Sequence, residues 1–256
     1  MKLEEYGKLL AYDAAFWTQG VTNPTYPIDE IGKLSLEVSD KFRVLAIITL
    51  VTQGESDFFY HNLVRSGRSR ETYLARLKQE GIEGDHHGCS GRYEPLLDAV
   101  ASGDLPLARH IADLSPAQFQ EGHEYDDDYC YAQCLHRLIR EEPPRSEFQS
   151  LFNRWAAYLE GKDTARLNVC QALLAQDQNG FDEAFEALLD EQQAQIAADQ
   201  ERGQFEDPNI VAKRRVFVEG LALLRLADMR GLRTQPEYRY CPSLARIPMR
   251  NPFPGE

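Results

Sequence analysis

Residues 93–114 read YEPLLDAVASGDLPLARHIADL, and they give the clearest indication of the fold class. Its apolar residues recur at steps of three and four, which is the spacing of one face of an α-helix. Gly103 is typical of the position just after a helix, and Asp104 is typical of the residue that caps the next one. A turn this short joins helices that lie antiparallel. The stretch therefore predicts a helical hairpin.

The same helical spacing extends over most of the chain, and no alternating strand pattern accompanies it. The segment from Ile31 to Ile48 is long enough for two helices or one bent helix. Ser56, Ser69 and Ser115-Pro116 are predicted to begin further helices, because serine is a frequent cap and proline fits a first helical turn. Asp207-Pro208 is predicted to open one long helix that ends at Gly231. We therefore predict an all-α fold of antiparallel helical hairpins, packed as an irregular bundle or solenoid-like array.

The C-terminal tail, residues 233–256, differs from the rest of the chain. It contains five prolines, which exclude a long helix. We predict that the tail runs extended over the helical body, held by Tyr238, Tyr240, Leu244 and Ile247. No fixed repeat period and no linker rich in glycine, serine or proline divides the chain. The sequence thus predicts a single domain, 1–256, with its tail docked on the helices.

The composition excludes several classes of partner. The chain has 41 acidic and 28 basic residues and a formal net charge of −13. Nucleic acids and anionic membranes require a positive surface, so we predict neither as a partner, whereas a basic protein is compatible. The N-terminus lacks the pattern of a secretory signal, and the most apolar run, Val44 to Val51, is far shorter than the ~20 residues that span a bilayer. Five scattered cysteines predict reduced, packed thiols and a cytoplasmic protein.

The cluster most similar to a metal site is His86-His87-Gly88-Cys89, since imidazole and thiolate both bind zinc. Adjacent histidines seldom face the same metal, and no second pair lies at a zinc-finger spacing, so a polar loop is favoured. Cys130 and Cys134 share one helix face and are interpreted as buried thiols. The glycine-rich phosphate motifs, the nucleophile elbow and the zinc-protease motif are all missing from the sequence. We predict no catalytic residue, no metal and no cofactor.

Residues 121–128, EGHEYDDD, are the most concentrated charge on the chain, and we call them the acidic loop. They lack the donor spacing of a calcium loop. One interpretation is a solvated loop whose last aspartates favour the N-terminus of the next helix. The other is an acidic contact for a basic partner, with Tyr125, Tyr129 and Tyr131 as aromatic anchors. The candidate partner-binding residues are Glu121, Glu124, Tyr125, Asp126, Asp127, Asp128 and Tyr129.

A second acidic run lies at helical spacing further along the chain. Because its carboxylates recur mostly at steps of three and four, they are interpreted as one solvated face of a helix. The members of this second run are Asp182, Glu183, Glu186, Asp190 and Glu191.

The C-terminal half carries distinctive segments: RVFVEGLALLRLA at 215–227, RGL at 230–232, YCPSLAR at 240–246 and, upstream, NVCQALLA at 168–175. On these segments the chain resembles the immunity protein 49 family, helical proteins of bacterial polymorphic-toxin loci. The resemblance implies an inhibitor encoded beside its toxin, with no catalytic residues to carry over. It also implies that the shared residues serve the core and tail docking, and that the toxin-facing surface lies in the upstream half, which includes the acidic loop.

The resemblance and the charge together predict an immunity protein that neutralises a cognate toxin by stoichiometric occlusion. A basic nuclease is the target that the charge favours, because the substrate of a nuclease is a polyanion. The alternative is a helical-repeat scaffold that binds peptides of host proteins, which a regular repeat would have favoured. A third class, a metal-dependent enzyme, would require zinc bound through His86, His87 or Cys89.

Overall fold

The computed structural model describes residues 2–142, 145–162, 164–203 and 206–254, and this part of the chain forms helices without a β-strand, which confirms the all-α prediction. Its extended pairing is confined to one isolated bridge between Tyr238 and Cys241. The α-helices are α1 (Leu3–Thr22), α2 (Ile28–Gln53), α3 (Ser56–Glu80), α4 (Glu94–Ser102), α5 (Leu105–Leu114), α6 (Asp126–Leu138), α7 (Arg145–Tyr158), α8 (Ala165–Ala175), α9 (Gln178–Glu201), α10 (Pro208–Lys213) and α11 (Val218–Met229).

The long helices α2 and α3 form the centre of the fold. They pack most extensively on each other, while α1 packs on α2, and α4 and α5 pack on α3. The segment 31–48 belongs to one continuous helix, α2. This helix is buried on several sides, and every residue from Val44 to Ile48 lies in the core. On the other side of the molecule α8 packs on α9, and α11 joins the two halves by packing on α4.

The prediction that Ser69 begins a helix is wrong, since Ser69 lies inside α3. Its hydroxyl donates to the carbonyl of Ser35 on α2 at 3.0 Å, and the Ser35 hydroxyl donates to the carbonyl of Ser69 at 2.9 Å. One turn away, Ser39 donates to the carbonyl of Ser66 at 2.9 Å. These serines are buried, so their hydroxyls link two helices and do not cap one.

The predicted hairpin at residues 93–114 is confirmed by α4 and α5. Gly103 has a φ of 86°, a left-handed conformation that glycine adopts without a steric penalty. The Asp104 side chain accepts a hydrogen bond from the backbone N–H of Leu107 at 3.0 Å, as expected of a helix cap.

The predicted helix start at Ser115-Pro116 is wrong, because residues 115–125 are irregular and the next helix begins at Asp126. The carbonyl of Pro116 accepts from Gln133 at 3.0 Å, and the carbonyl of Ala117 accepts from the Tyr129 hydroxyl at 2.9 Å. Both acceptors are therefore bonded to side chains of α6 and are not used within a helix of their own.

The predicted helix from Pro208 to Gly231 is divided into α10 and α11 by residues 214–217. At the break the backbone N–H of Phe217 donates to the carbonyl of Tyr240 in the tail at 2.7 Å. The tail then crosses α3, where the Tyr60 hydroxyl lies 2.8 and 2.7 Å from the carbonyl oxygens of Ala245 and Ile247 and shares its one proton between them. The predicted helix is therefore broken where the chain bonds to the tail. Gly255 and Glu256 lie outside the described residues.

A candidate partner-binding surface

The acidic loop ends at the N-terminus of α6. Tyr125 has extended backbone angles and precedes the helix, whose first turn contains Asp126, Asp127 and Asp128. Carboxylates at this end of a helix are favoured by the unpaired backbone N–H groups and the helix dipole. Local helix energetics therefore account for the position of the three aspartates, with or without a partner.

Glu124 is committed to internal hydrogen bonds. Its carboxylate accepts from the backbone N–H of Gly91 at 2.7 Å, from that of Gln120 at 3.0 Å and from the Ser90 hydroxyl at 3.2 Å. These bonds join the acidic loop to the segment that precedes α4. Glu124 therefore organises the surface, and little of its charge is directed toward solvent.

Asp126 belongs to a layered cluster with residues on neighbouring elements. Its carboxylate accepts from Arg154 of α7 at 2.5 Å. The Arg154 guanidinium lies over the rings of Phe119 and Tyr129, at 4.5 and 4.9 Å from their centroids. Bonding to Asp126 is the main cause that raises the pKa of Arg154. Asp126 thus anchors the α6–α7 contact as well as contributing charge.

Asp128 is half-buried and lies 3.3 Å from the hydroxyl of Tyr93, which donates to it. Burial raises the pKa of Asp128, and the neighbouring carboxylate of Asp127 raises it further. Desolvation disfavours the charged form of a carboxyl group, so Asp128 carries its charge at a cost to stability.

Tyr129 and Tyr131 are not exposed, so they do not serve as surface anchors. Tyr129 is 9% exposed and donates to the carbonyl of Ala117, and Tyr131 is 1% exposed and donates to Glu219 at 2.8 Å. The Tyr129 ring packs edge-on against Phe119, and the Tyr131 ring packs against Tyr93 and Trp155. In the described structure the two side chains connect α6 to the elements packed against it.

The outward part of the acidic loop consists of Glu121, Tyr125 and Asp127. Glu121 is exposed, Tyr125 is 72% exposed and Asp127 is half-exposed. Tyr158 at the end of α7 lies beside them, 47% exposed, and the carboxylates of Asp127 and Asp126 raise its pKa. Two exposed tyrosines in a negative field form a surface that fits a positively charged protein.

The His86 region is a packed polar loop. The rings of His86 and His87 lie 5.1 Å apart, the ring of His123 lies 5.7 Å from that of His86, and Cys89 donates to Gln120 at 3.4 Å. Burial raises the pKa of the Cys89 thiol to about 11. Within the described ranges no three His, Cys, Asp or Glu side chains are arranged to hold a metal ion.

The second acidic run occupies α9 and contacts the tail. Arg239 donates to Glu186 at 2.9 Å, to Asp190 at 2.7 Å and to Gln193 at 2.9 Å. Glu191 accepts from the backbone N–H of Ala165 at 3.3 Å. Much of this face is therefore used within the chain.

Sequence reasoning missed a groove of about 670 Å³ next to the acidic loop. It lies between the end of α3 with its following loop and residues 114–120, which comprise the last residue of α5 and part of the irregular segment after it. The sequence predicts a helix start at Ser115-Pro116, so it gives no indication of an irregular groove wall at these residues. No apolar spacing marks the break, because Leu114 and Phe119 lie three and eight residues after Ile111 and so continue the helical pattern of α5.

The family comparison identifies one match. A family model described as Immunity protein 49 matches residues 41–245, a range that contains the acidic loop and the groove and begins within α2. No curated protein and no solved structure matched the chain. No helix in the described part of the chain is long and apolar enough to cross a membrane.

Proposed function

The chain belongs to the immunity protein 49 family, and from this premise we propose that it binds and neutralises a cognate bacterial toxin. The match over residues 41–245 is the observation that carries the proposal. The proposed mechanism is stoichiometric occlusion in the cytoplasm, in which a surface of the inhibitor covers the toxin and no reaction is catalysed. A specific interface of ordinary size buries about 1,600 Å² in total, so a face of two or three helices suffices.

We propose that the outward part of the acidic loop belongs to the toxin contact. Glu121, Asp127 and the rings of Tyr125 and Tyr158 supply negative charge beside exposed aromatic surface. Aromatic side chains carry much of the binding energy in protein interfaces, and opposite charges accelerate encounter.

The charge of the whole chain supports a basic toxin. A formal net charge of −13 produces a field that attracts a cationic protein from a distance and weakens as salt screens it. A toxin that cleaves nucleic acid has a positive surface because its substrate is a polyanion. We therefore propose a nuclease, encoded beside this chain, as the target.

Co-expression tests the proposal. We expect that cells carrying the neighbouring open reading frame grow only when this chain is produced with it, and that the purified pair forms a one-to-one complex with the toxin intact. A frame-shifted copy of the inhibitor gene is the control. Failure to rescue growth, together with no complex between the purified proteins, would contradict the proposed function.

A further inference from the structure

The groove beside the acidic loop has an apolar floor and apolar side chains along its walls. Leu74 and Leu77 of α3 are buried at its floor, and Ile82, Leu114 and Phe119 are half-buried along its sides. These side chains line a space of about 670 Å³ that opens to solvent. A cavity of this size accommodates one or two large apolar side chains, comparable to the pockets that receive anchors in protein interfaces.

The walls of the groove are held in place by hydrogen bonds. On one side, Gln133 and Tyr129 bind the carbonyls of Pro116 and Ala117. On the other, the carboxylate of Asp85 accepts from the backbone N–H of Gly88 at 2.7 Å and from the Tyr73 hydroxyl. A pocket already held open loses little conformational entropy when it is filled.

The rim of the groove is acidic. Glu83 and Asp85 lie among its lining residues, and Lys78 is the single cation among the described residues that line it. Gln120 also lines the groove, and Glu121 of the acidic loop is the next residue in the chain. The groove and the acidic loop are therefore continuous parts of one surface.

We infer that this groove receives a large apolar side chain of the toxin, carried on a basic surface of that protein. The inference rests on the proposed function and specifies the chemistry of the partner at the contact. The apolar floor fits the anchor. The carboxylates of Glu83 on the rim and of Glu121 and Asp127 in the acidic loop, which reach solvent, fit lysine and arginine side chains around it. Arg154 connects the two parts physically, since it lies over Phe119 in the groove wall and binds Asp126.

A larger cleft of about 730 Å³ between α1 and α3 does not show the same selectivity. Its rim carries both signs of charge in local ion pairs, Lys8 with Glu4 and Arg68 with Glu71. Arg65 also lines that cleft, so its lining residues include three cations and two carboxylates. The cleft therefore lacks the acidic rim of the groove, and the groove is the better defined contact for a basic partner.

Filling the groove tests the inference. Ala117 is exposed, lines the groove and offers only its backbone to Tyr129, so Ala117→Trp adds bulk without removing a contact. The probe is the purified product of the neighbouring open reading frame, titrated by calorimetry. We expect Ala117→Trp to weaken binding by about 10- to 100-fold, the value of one buried anchor. Ala194→Trp, at an exposed position of α9, is the matched control with unchanged affinity.

A photo-crosslinking residue at Gln118 provides a measurement that does not depend on a tolerated tryptophan. We expect crosslinks to the toxin from position 118 and none from position 194. If wild-type protein binds the toxin while Ala117→Trp binds equally well and position 118 does not crosslink, the groove inference is wrong and the proposed function stands. If the wild-type chain does not bind the toxin, both are wrong. If Ala117→Trp alters only self-association, the groove joins two copies of this chain and the inference is overturned.

Discussion

The two acidic regions of this protein have similar composition and different uses. On α9, Glu186 and Asp190 bind Arg239 of the tail, which lies about fifty residues away in the sequence. In the acidic loop, Glu124 and Asp126 bind groups of nearby segments, while Glu121 and Asp127 remain toward solvent beside exposed tyrosines. A dense run of carboxylates is therefore not a uniform surface. Each carboxylate must be assigned to a hydrogen bond, an ion pair or solvent before a role is inferred.

The largest expected effect is on stability, at Glu124. We expect Glu124→Ala to lower the free energy of unfolding by about 2–3 kcal/mol, because three donors lose a charged acceptor at a half-buried position. Glu186→Ala on α9 should change the free energy of unfolding little, since the lost ion pair is exposed and Asp190 still binds Arg239. Denaturant unfolding of both variants provides the measurement. Equal losses would show that the acidic loop is no better ordered than the α9 face.

The second effect is on association with the toxin. Charge reversal at all three aspartates of α6 would also break the bonds to Arg154 and Tyr93. The double variant Glu121→Lys with Asp127→Lys changes the surface charge and leaves those two bonds in place. We expect this double variant to slow association about 10-fold at low salt, with a smaller effect at high salt. Asp182→Lys with Glu183→Lys on α9 alters net charge equally and should slow association less. Association rates are measured by stopped flow. Equal rates for the two double variants would exclude local steering by the acidic loop.

The smallest effect is the pH dependence at Asp128. Its pKa is raised in the folded protein, so the native state binds more protons than the unfolded state between the ordinary carboxyl pKa and the raised one. Stability from this group is therefore greatest at low pH and is lost as pH rises through that window. We expect Asp128→Asn to stabilise the protein at pH 7, with the gain disappearing below about pH 4. Unfolding curves of both proteins from pH 3.5 to 8 measure this gain in stability. A gain that persists at low pH would contradict a raised pKa at Asp128.

Much of the fold could be predicted from local sequence. The hairpin of α4 and α5, with Gly103 and Asp104 at its turn, depends on backbone preferences that act over a few residues. The wrong predictions share a cause. Ser69 and Ser115 look like caps locally, but Ser69 bonds across to α2, and the residues after Ser115 bond to α6. Partners distant in sequence decided these positions.

The candidate surface could be predicted only in part. The acidic loop was evident as a run of charge, and Glu121, Tyr125 and Asp127 do reach solvent. Tyr129 could not be placed, because the same helical spacing is compatible with an inward or an outward ring until the neighbours of α6 are known. The groove was not visible at all, since its two walls come from α3 and from residues 114–120, about forty residues apart.

The amino-acid sequence is enough to indicate that the chain is helical, acidic and similar over much of its length to a family of immunity proteins. These properties depend on composition, short-range periodicity and residue order, which are present before the chain folds. The folded structure is needed to see which carboxylates are bound and where α10 ends and α11 begins. It is also needed to see that a groove with an apolar floor adjoins the acidic loop. Burial and hydrogen-bond pairing are properties of distant residues brought together, and no local pattern encodes them.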